Sequence, residues 1–187
     1  LEKLNRLSQA ENAYRKALVY KPHDWQALNG VSSVYVRQGR LEEALSYSQD
    51  ALSIFPDYAE AHTNRGDALS KLGKLDEGVK AHREAIRLKP EFFEAYNNLG
   101  IALYAKGELD NAIGEWQEAL RIKPGYPEAH NNLGIGLKYR GDIEGSIVEI
   151  RRTLQTRPDY PDTSFNLGGA LAAIRDTAGA IEAILDC

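Results

Sequence analysis

An all-α solenoid of antiparallel helix pairs is the fold that this 187-residue sequence predicts, and three observations predict it. Pro22, Pro56, Pro90, Pro124 and Pro158 follow one another at one constant step. Two glycine ladders keep the same step, Gly39, Gly73, Gly107 and Gly141 in one and Gly66, Gly100, Gly134 and Gly168 in the other. Small residues make a third, with Ala17, Ala51, Ala85 and Ala119. Ladders of different residue types held in one phase mark a stack of identical short helical units.

Counted from the third residue after each proline, full units cover residues 25–58, 59–92, 93–126 and 127–160. Residues 1–24 read as the latter part of an earlier unit and residues 161–187 as most of a later one, all in a single array over 1–187. Each unit carries two amphipathic stretches. In residues 93–126 the first is Tyr96, Leu99, Gly100 and Leu103, whose i, i+3, i+4, i+7 spacing marks one helix face. The second is Leu109, Ala112, Ile113, Trp116, Ala119 and Leu120. Gly107 stands between them, where a helix stop needs a left-handed residue. Glu42, Glu43, Asp76, Glu77, Asp110 and Glu144 open the second helices, while Arg87, Lys89, Arg121, Lys123 and Arg157 close them, as the helix dipole favours. Proline then ends the second helix, having no N–H to continue it. Tyr58, Phe92, Tyr126 and Tyr160 precede each new first helix and read as hydrophobic staples. Pro127 and Pro161 suit a first helical turn.

The segments YNNLGIALYAKGELDNAIGEWQEALRIKP (96–124) and HNNLGIGLKYRGDIEGSIVEIRRTLQTRP (130–158) show the unit in full. They resemble the tetratricopeptide repeat family. Its pattern of a bulky residue, Leu-Gly, an aromatic or leucine, alanine, an aromatic, alanine and proline is met by Tyr96, Leu99, Gly100, Leu103, Ala112, Trp116, Ala119 and Pro124. The resemblance covers nearly the whole chain. It implies a right-handed superhelical solenoid whose first helices line a concave groove.

Positions 4, 7, 8 and 11 of each first helix read as the packed face, which leaves positions 2, 5, 6, 9, 12 and 13 for the groove. Position 6 reads Gly30, Asn64, Asn98, Asn132 and Asn166 down the array. Position 5 reads Asn29, Thr63, Asn97, Asn131 and Phe165, and position 9 reads Ser33, Asp67, Ile101, Ile135 and Gly169. An asparagine amide offers donors and an acceptor that match the N–H and C=O of an extended peptide. It could equally bond a neighbouring repeat. The ladder is similar to the one lining the repeat region of O-linked N-acetylglucosamine transferase. Glu60, Glu94 and Glu128 form an acidic row at position 2. Tetratricopeptide domains that clamp acidic chaperone C-termini carry lysine and arginine at positions 2, 5 and 6, which here hold these glutamates and the asparagines, so the resemblance implies that such a tail is not the partner. A peptide with basic residues near the row and apolar ones near Ile101 and Ile135 fits better. The same acids also suit helix N-termini without any ligand.

Other function classes find little support. A net charge of −4 gives no basic field for nucleic acid. The single cysteine, Cys187, rules out an internal disulfide framework, and a reducing, cytoplasmic setting is the favoured expectation. No stretch reaches the ~18 uninterrupted apolar residues of a membrane span. His23, His62, His82 and His130 lack metal-ligand spacing, no phosphate loop or nucleophile elbow occurs, and neither catalysis nor a cofactor is expected. There is no methionine, so the sequence reads as a piece of a longer chain. Leu1 and Leu4 read as the remnant of a truncated first helix. Arg175 replaces an expected turn glycine, and Ile181, Ile184 and Leu185 predict an apolar C-terminal face open to self-association. The expected function is a scaffold that holds a peptide or partner protein. The alternatives are a substrate-recruiting region of a larger enzyme, such as a glycosyltransferase, and a self-assembly module.

Overall fold

The computed structural model describes residues 2–160 and 163–174, and for residues 2–5 the backbone alone. Among these residues it is built of helices: α1 (Glu2–Tyr20), α2 (Trp25–Gln38), α3 (Leu41–Ile54), α4 (Ala59–Lys71), α5 (Leu75–Leu88), α6 (Phe93–Ala105), α7 (Leu109–Ile122), α8 (Pro127–Arg140), α9 (Ile143–Thr156) and α10 (Thr163–Ala173). The starts of α2, α4, α6 and α8 recur at the same step as the prolines. The chain forms two compact units, Leu1–Ala102 and Leu103–Cys187, whose boundary falls inside α6.

The glycine ladder sets the turns. Gly39, Gly73, Gly107 and Gly141 have φ of 78°, 79°, 82° and 94°, a region that a Cβ makes costly. The residue after each glycine donates its N–H five residues back, from Arg40 to Tyr35 O, Lys74 to Leu69 O, Glu108 to Leu103 O and Asp142 to Leu137 O, each at 2.9 Å. These bonds satisfy carbonyls that a helix end would otherwise leave unpaired. A short turn of this kind folds the second helix back on the first.

In unit 1 the core joins Val31, Val34, Tyr35 and Val36 of α2 to Ala44 of α3 and Ala68 of α4, with Leu7, Ala10 and Leu18 of α1 packed against them. Further along, Ala59, Ala85, Phe92 and Ala95 pack together. In unit 2, Ile147 and Ile150 of α9 meet Leu167, Ala170 and Leu171 of α10. The ladder alanines Ala51, Ala85 and Ala119 are fully buried. Close approach is also why Gly66 has no side chain. A Cβ there would come within 2.6 Å of the His82 ring, which lies directly over it.

Three expectations change. First, α1 is one unbroken helix that passes through Asn5, so Leu4 belongs to it and not to the remnant of a separate helix. Asn5 occupies the place that Gly39 holds one step later, and asparagine enters the left-handed region at greater cost than glycine. Second, Tyr58 and Tyr126 are the N-cap residues of α4 and α8 themselves, rather than the residues before the cap. Tyr58 packs on Trp25 with ring centroids 4.6 Å apart, so it ties the start of α4 to the start of α2. Third, position 5 is packed and not open from Asn29 to Asn131. Asn29, Thr63, Asn97 and Asn131 are all buried, at the margin of the packed face, while Phe165 at the end of the row is exposed. Leu1, Pro161, Arg175, Ile181, Ile184, Leu185 and Cys187 lie outside the described residues.

Candidate functional site

Unit 1 contains a groove of about 900 Å³ lined by residues of α1, α2, α4 and α6 and the loop before α6. It brings together Glu60, Asn64, Asp67, Glu94 and Asn98, the first-helix residues expected there, with Gln26, Asn29, Ser33 and Thr63 beside them. Helical geometry explains the grouping, since positions 2, 5, 6 and 9 share one face. Ile101 stands on α6 and is exposed. Asn97 is only 3 % exposed and lies behind Asn98, to which its Nδ2 donates at 3.2 Å.

The asparagine row is tied to the fold. Asn64 donates from Nδ2 to Oδ1 of Asn29 in the preceding repeat at 2.7 Å, and Asn29 donates from Nδ2 to Tyr58 Oη at 3.3 Å. Asn98 donates from Nδ2 to both carboxylate oxygens of Asp67, at 2.9 and 3.1 Å. Both of these ladder amides therefore reach back to the repeat before their own. Where the row begins with Gly30, the ring of Tyr14 from α1 takes the space; an added Cβ would sit 2.5 Å from it.

The acidic row is partly neutralised from within. Lys89 Nζ lies 2.8 Å from Glu60 Oε1, and that bond raises the lysine pKa. The same ammonium sits 4.5 Å from the centre of the Phe92 ring. Asp67 is different. Its side chain keeps 26 % exposure, yet protein crowds it enough to push its pKa up to about 7. Burial is the main cause; the Lys71 charge and the Asn98 hydrogen bond pull the other way. Beneath it His82 Nε2 is 3.5 Å from Asp67 Oδ1. His82 is buried, burial lowers its pKa to about 4, and neither ring nitrogen has a hydrogen-bond partner. From about pH 4 to about pH 7, burial thus keeps the His82 ring neutral and the Asp67 carboxyl protonated.

In unit 2 the corresponding residues lie on α8 and α10. Glu128 Oε1 accepts from Arg157 Nη1 at 3.2 Å, repeating the Glu60–Lys89 arrangement. Asn131 is 7 % exposed and accepts from Asn166 Nδ2 at 3.5 Å. Asn132 and Ile135 are half-buried. Tyr139 and Phe165 are exposed, and Tyr104 and Tyr139 have ring centroids 5.9 Å apart. His130 bonds Glu149 Oε2 at 2.6 Å and Pro124 O at 2.8 Å, so its ring is engaged within the fold.

The repeat geometry matches known proteins. A profile of the tetratricopeptide repeat family covers residues 1–59 and 63–127. The chain belongs to that family. The tetratricopeptide fold makes it a scaffold for protein interaction. Among solved structures it is similar to TTC0263, a thermophilic tetratricopeptide protein of Thermus thermophilus, at 21 % identity over 92 % of this chain and 94 % of that one, with a TM-score of 0.81. It is also similar to a chain of the Cut9–Hcn1 hetero-tetramer of the anaphase-promoting complex, at 20 % identity over 97 % of this chain and 36 % of that one, with a TM-score of 0.85. A third is YrrB, described as a tetratricopeptide protein with an unusual peptide-binding site. It shares 24 % identity over 94 % of this chain and 87 % of that one, with a TM-score of 0.62. At these identities the likeness speaks for the fold alone. Among curated protein sequences, none matches this chain. No helix among the described residues is long and apolar enough to cross a membrane.

Sequence reasoning placed the groove face but missed Tyr14, Lys89 and His82 as its supports. A signal existed for Lys89. It follows Glu60 by the same interval as Arg157 follows Glu128, a recurring acid–base offset.

Proposed function

We propose that the first-helix face holds an extended segment of a partner protein. In this reading Asn64 and Asn98 meet a segment's backbone in the first unit, and Asn132 and Asn166 do so in the second. Ile101 and Ile135 offer contact to apolar side chains. The observation that carries the reading is the groove of about 900 Å³, lined by the polar first-helix residues Glu60, Asn64, Asp67, Glu94 and Asn98. An amide has two N–H groups and two acceptor lone pairs. The bond that Asn64 makes to Asn29 Oδ1 holds the amide still and leaves capacity for a ligand. A rigid helical scaffold suits this use better than a loop does. YrrB, a neighbour in fold, carries a peptide-binding site by its description.

The test uses a pool of acetylated, amidated random decapeptides and the double variant Asn64→Ala, Asn132→Ala. The expected result is roughly tenfold weaker binding, about the worth of one or two hydrogen bonds, with little change in melting temperature. Undiminished binding by the folded variant would mean that the asparagines serve the fold and not a ligand.

A further inference from the structure

Five carboxylates line the unit 1 groove, Asp24, Glu60, Asp67, Glu91 and Glu94, against one cation, Lys89. They are not equivalent. Asp24 accepts from the N–H groups of Gln26 and Ala27 at 3.0 Å and so caps α2. Glu60 is held by Lys89. Asp67 is the most crowded of them, fixed by both bonds from Asn98 Nδ2. The group below it is the imidazole of His82, 1 % exposed and with both nitrogens unpartnered. The charged or titratable groups around Asp67 are His82 on α5 and Lys71 on its own helix, while α6 presents the neutral Asn98.

We propose that Asp67 is an anionic subsite of the groove, taking the ammonium or guanidinium of a lysine or arginine carried by the bound segment. This rests on the peptide-groove reading above and narrows its ligand to a basic segment. The geometry favours it in three ways. The carboxylate is positioned before any ligand arrives, because Asn98 fixes both oxygens. Its crowded surroundings strengthen an ion pair relative to one in open water. The imidazole beneath it supplies no competing cation, since burial keeps the His82 ring neutral above about pH 4. The remaining acids at the rim, Glu91 and Glu94, favour the approach of a positive segment and repel an acidic one.

The occupied site needs an ionised Asp67, so binding of the cation tightens as pH rises through about 7, where the carboxyl loses its proton. The pH response separates a contact with Asp67 from a general attraction to acidic surface, whose ordinary carboxylates are fully charged well below that pH.

The test measures fluorescence anisotropy for two decapeptide pools, acetylated and amidated, with the central residue fixed as lysine or as the neutral norleucine. The wild-type chain is expected to bind the lysine pool about tenfold or more tightly at pH 8, with the preference shrinking toward pH 6. Asp67→Asn is expected to erase the preference and its pH dependence, so that the variant binds the two pools equally at pH 8 and at pH 6. Asp67→Glu, which keeps the charge, should restore part of the preference. Equal binding of the two pools by the wild type would overturn the subsite and leave the groove standing. A lysine preference that survives unchanged in folded Asp67→Asn would also overturn it. Binding of neither pool would overturn both.

Discussion

His82 occupies the place that Trp116 and Ile150 hold in the next two repeats. All three side chains are buried. A histidine in such a place costs stability, because neither ring nitrogen finds a partner. It also couples the fold to pH, and Asp67 does so in the opposite sense. Asp67 ionises at about 7 in the folded chain against 3.8 for the free group, so the native state holds the extra proton and stability falls as pH rises between those values. His82 titrates at about 4 when folded against 6.5 when free, so the native state holds fewer protons and stability rises across that window. The two slopes oppose each other from about pH 4 to 6.5. Replacing His82→Phe removes the rising slope and the two orphaned nitrogens. The variant is expected to be more stable than wild type, by an amount largest near pH 4 and shrinking toward pH 6.5. Urea unfolding at several pH values reads this directly, and a gain independent of pH would contradict it. The sequence showed that His82 broke the aromatic pattern. It could not show that Asp67 is desolvated, because that depends on Asn98 of the following repeat closing over it.

At the scale of the element, the turns were the most legible part of the chain. A residue at φ near 80° must be glycine or bear a penalty, and the evenly spaced ladder of glycines is that requirement written into the sequence. What the ladder did not reveal was the packed edge of each first helix. A helical wheel marks the centre of a buried face well, but position 5 lies at its margin, where spacing along one helix does not set the width of the contact. Asn97 and Asn131 were thus read as open when they are buried. Two glycines separate the conformational role from mere spacing. Gly107 has φ 82° and open space around it, so Gly107→Ala is strained by its backbone alone and is expected to cost about 1–2 kcal/mol. Gly114 lies inside α7, exposed, with nothing within 4 Å of the point where a Cβ would stand, so Gly114→Ala is expected to stabilise by roughly 0.5–1 kcal/mol. Thermal melts of the two single variants should move in opposite directions. A loss at both positions would mean that α7 needs glycine for a reason other than its helical geometry.

At the scale of the molecule, the charge of the unit 1 groove bears on the ligand proposed for it. The sequence showed the acidic row but not its pairing, since the partners of Glu60 and Glu128 lie at the far end of the following helix and meet them only when the two helices of one repeat fold together. Exposed pairs of this kind contribute little to stability. Their consequence is for recognition: Lys89 offsets Glu60, while Glu91 and Glu94, joined by Asp67 above about pH 7, keep the unit 1 groove negative. An acidic ligand therefore meets repulsion that shape alone does not remove. The double variant Glu60→Lys, Glu94→Lys turns that repulsion into attraction. A decapeptide with two aspartates and a free C-terminal carboxylate is expected to bind the wild-type chain negligibly. The variant should bind it at least about tenfold more tightly in low salt, where the Debye length exceeds ~10 Å. In 1 M salt, with a Debye length of ~3 Å, most of that gain should vanish. Equal binding of the acidic peptide by both proteins in low salt would show that the groove selects its ligand by something other than charge.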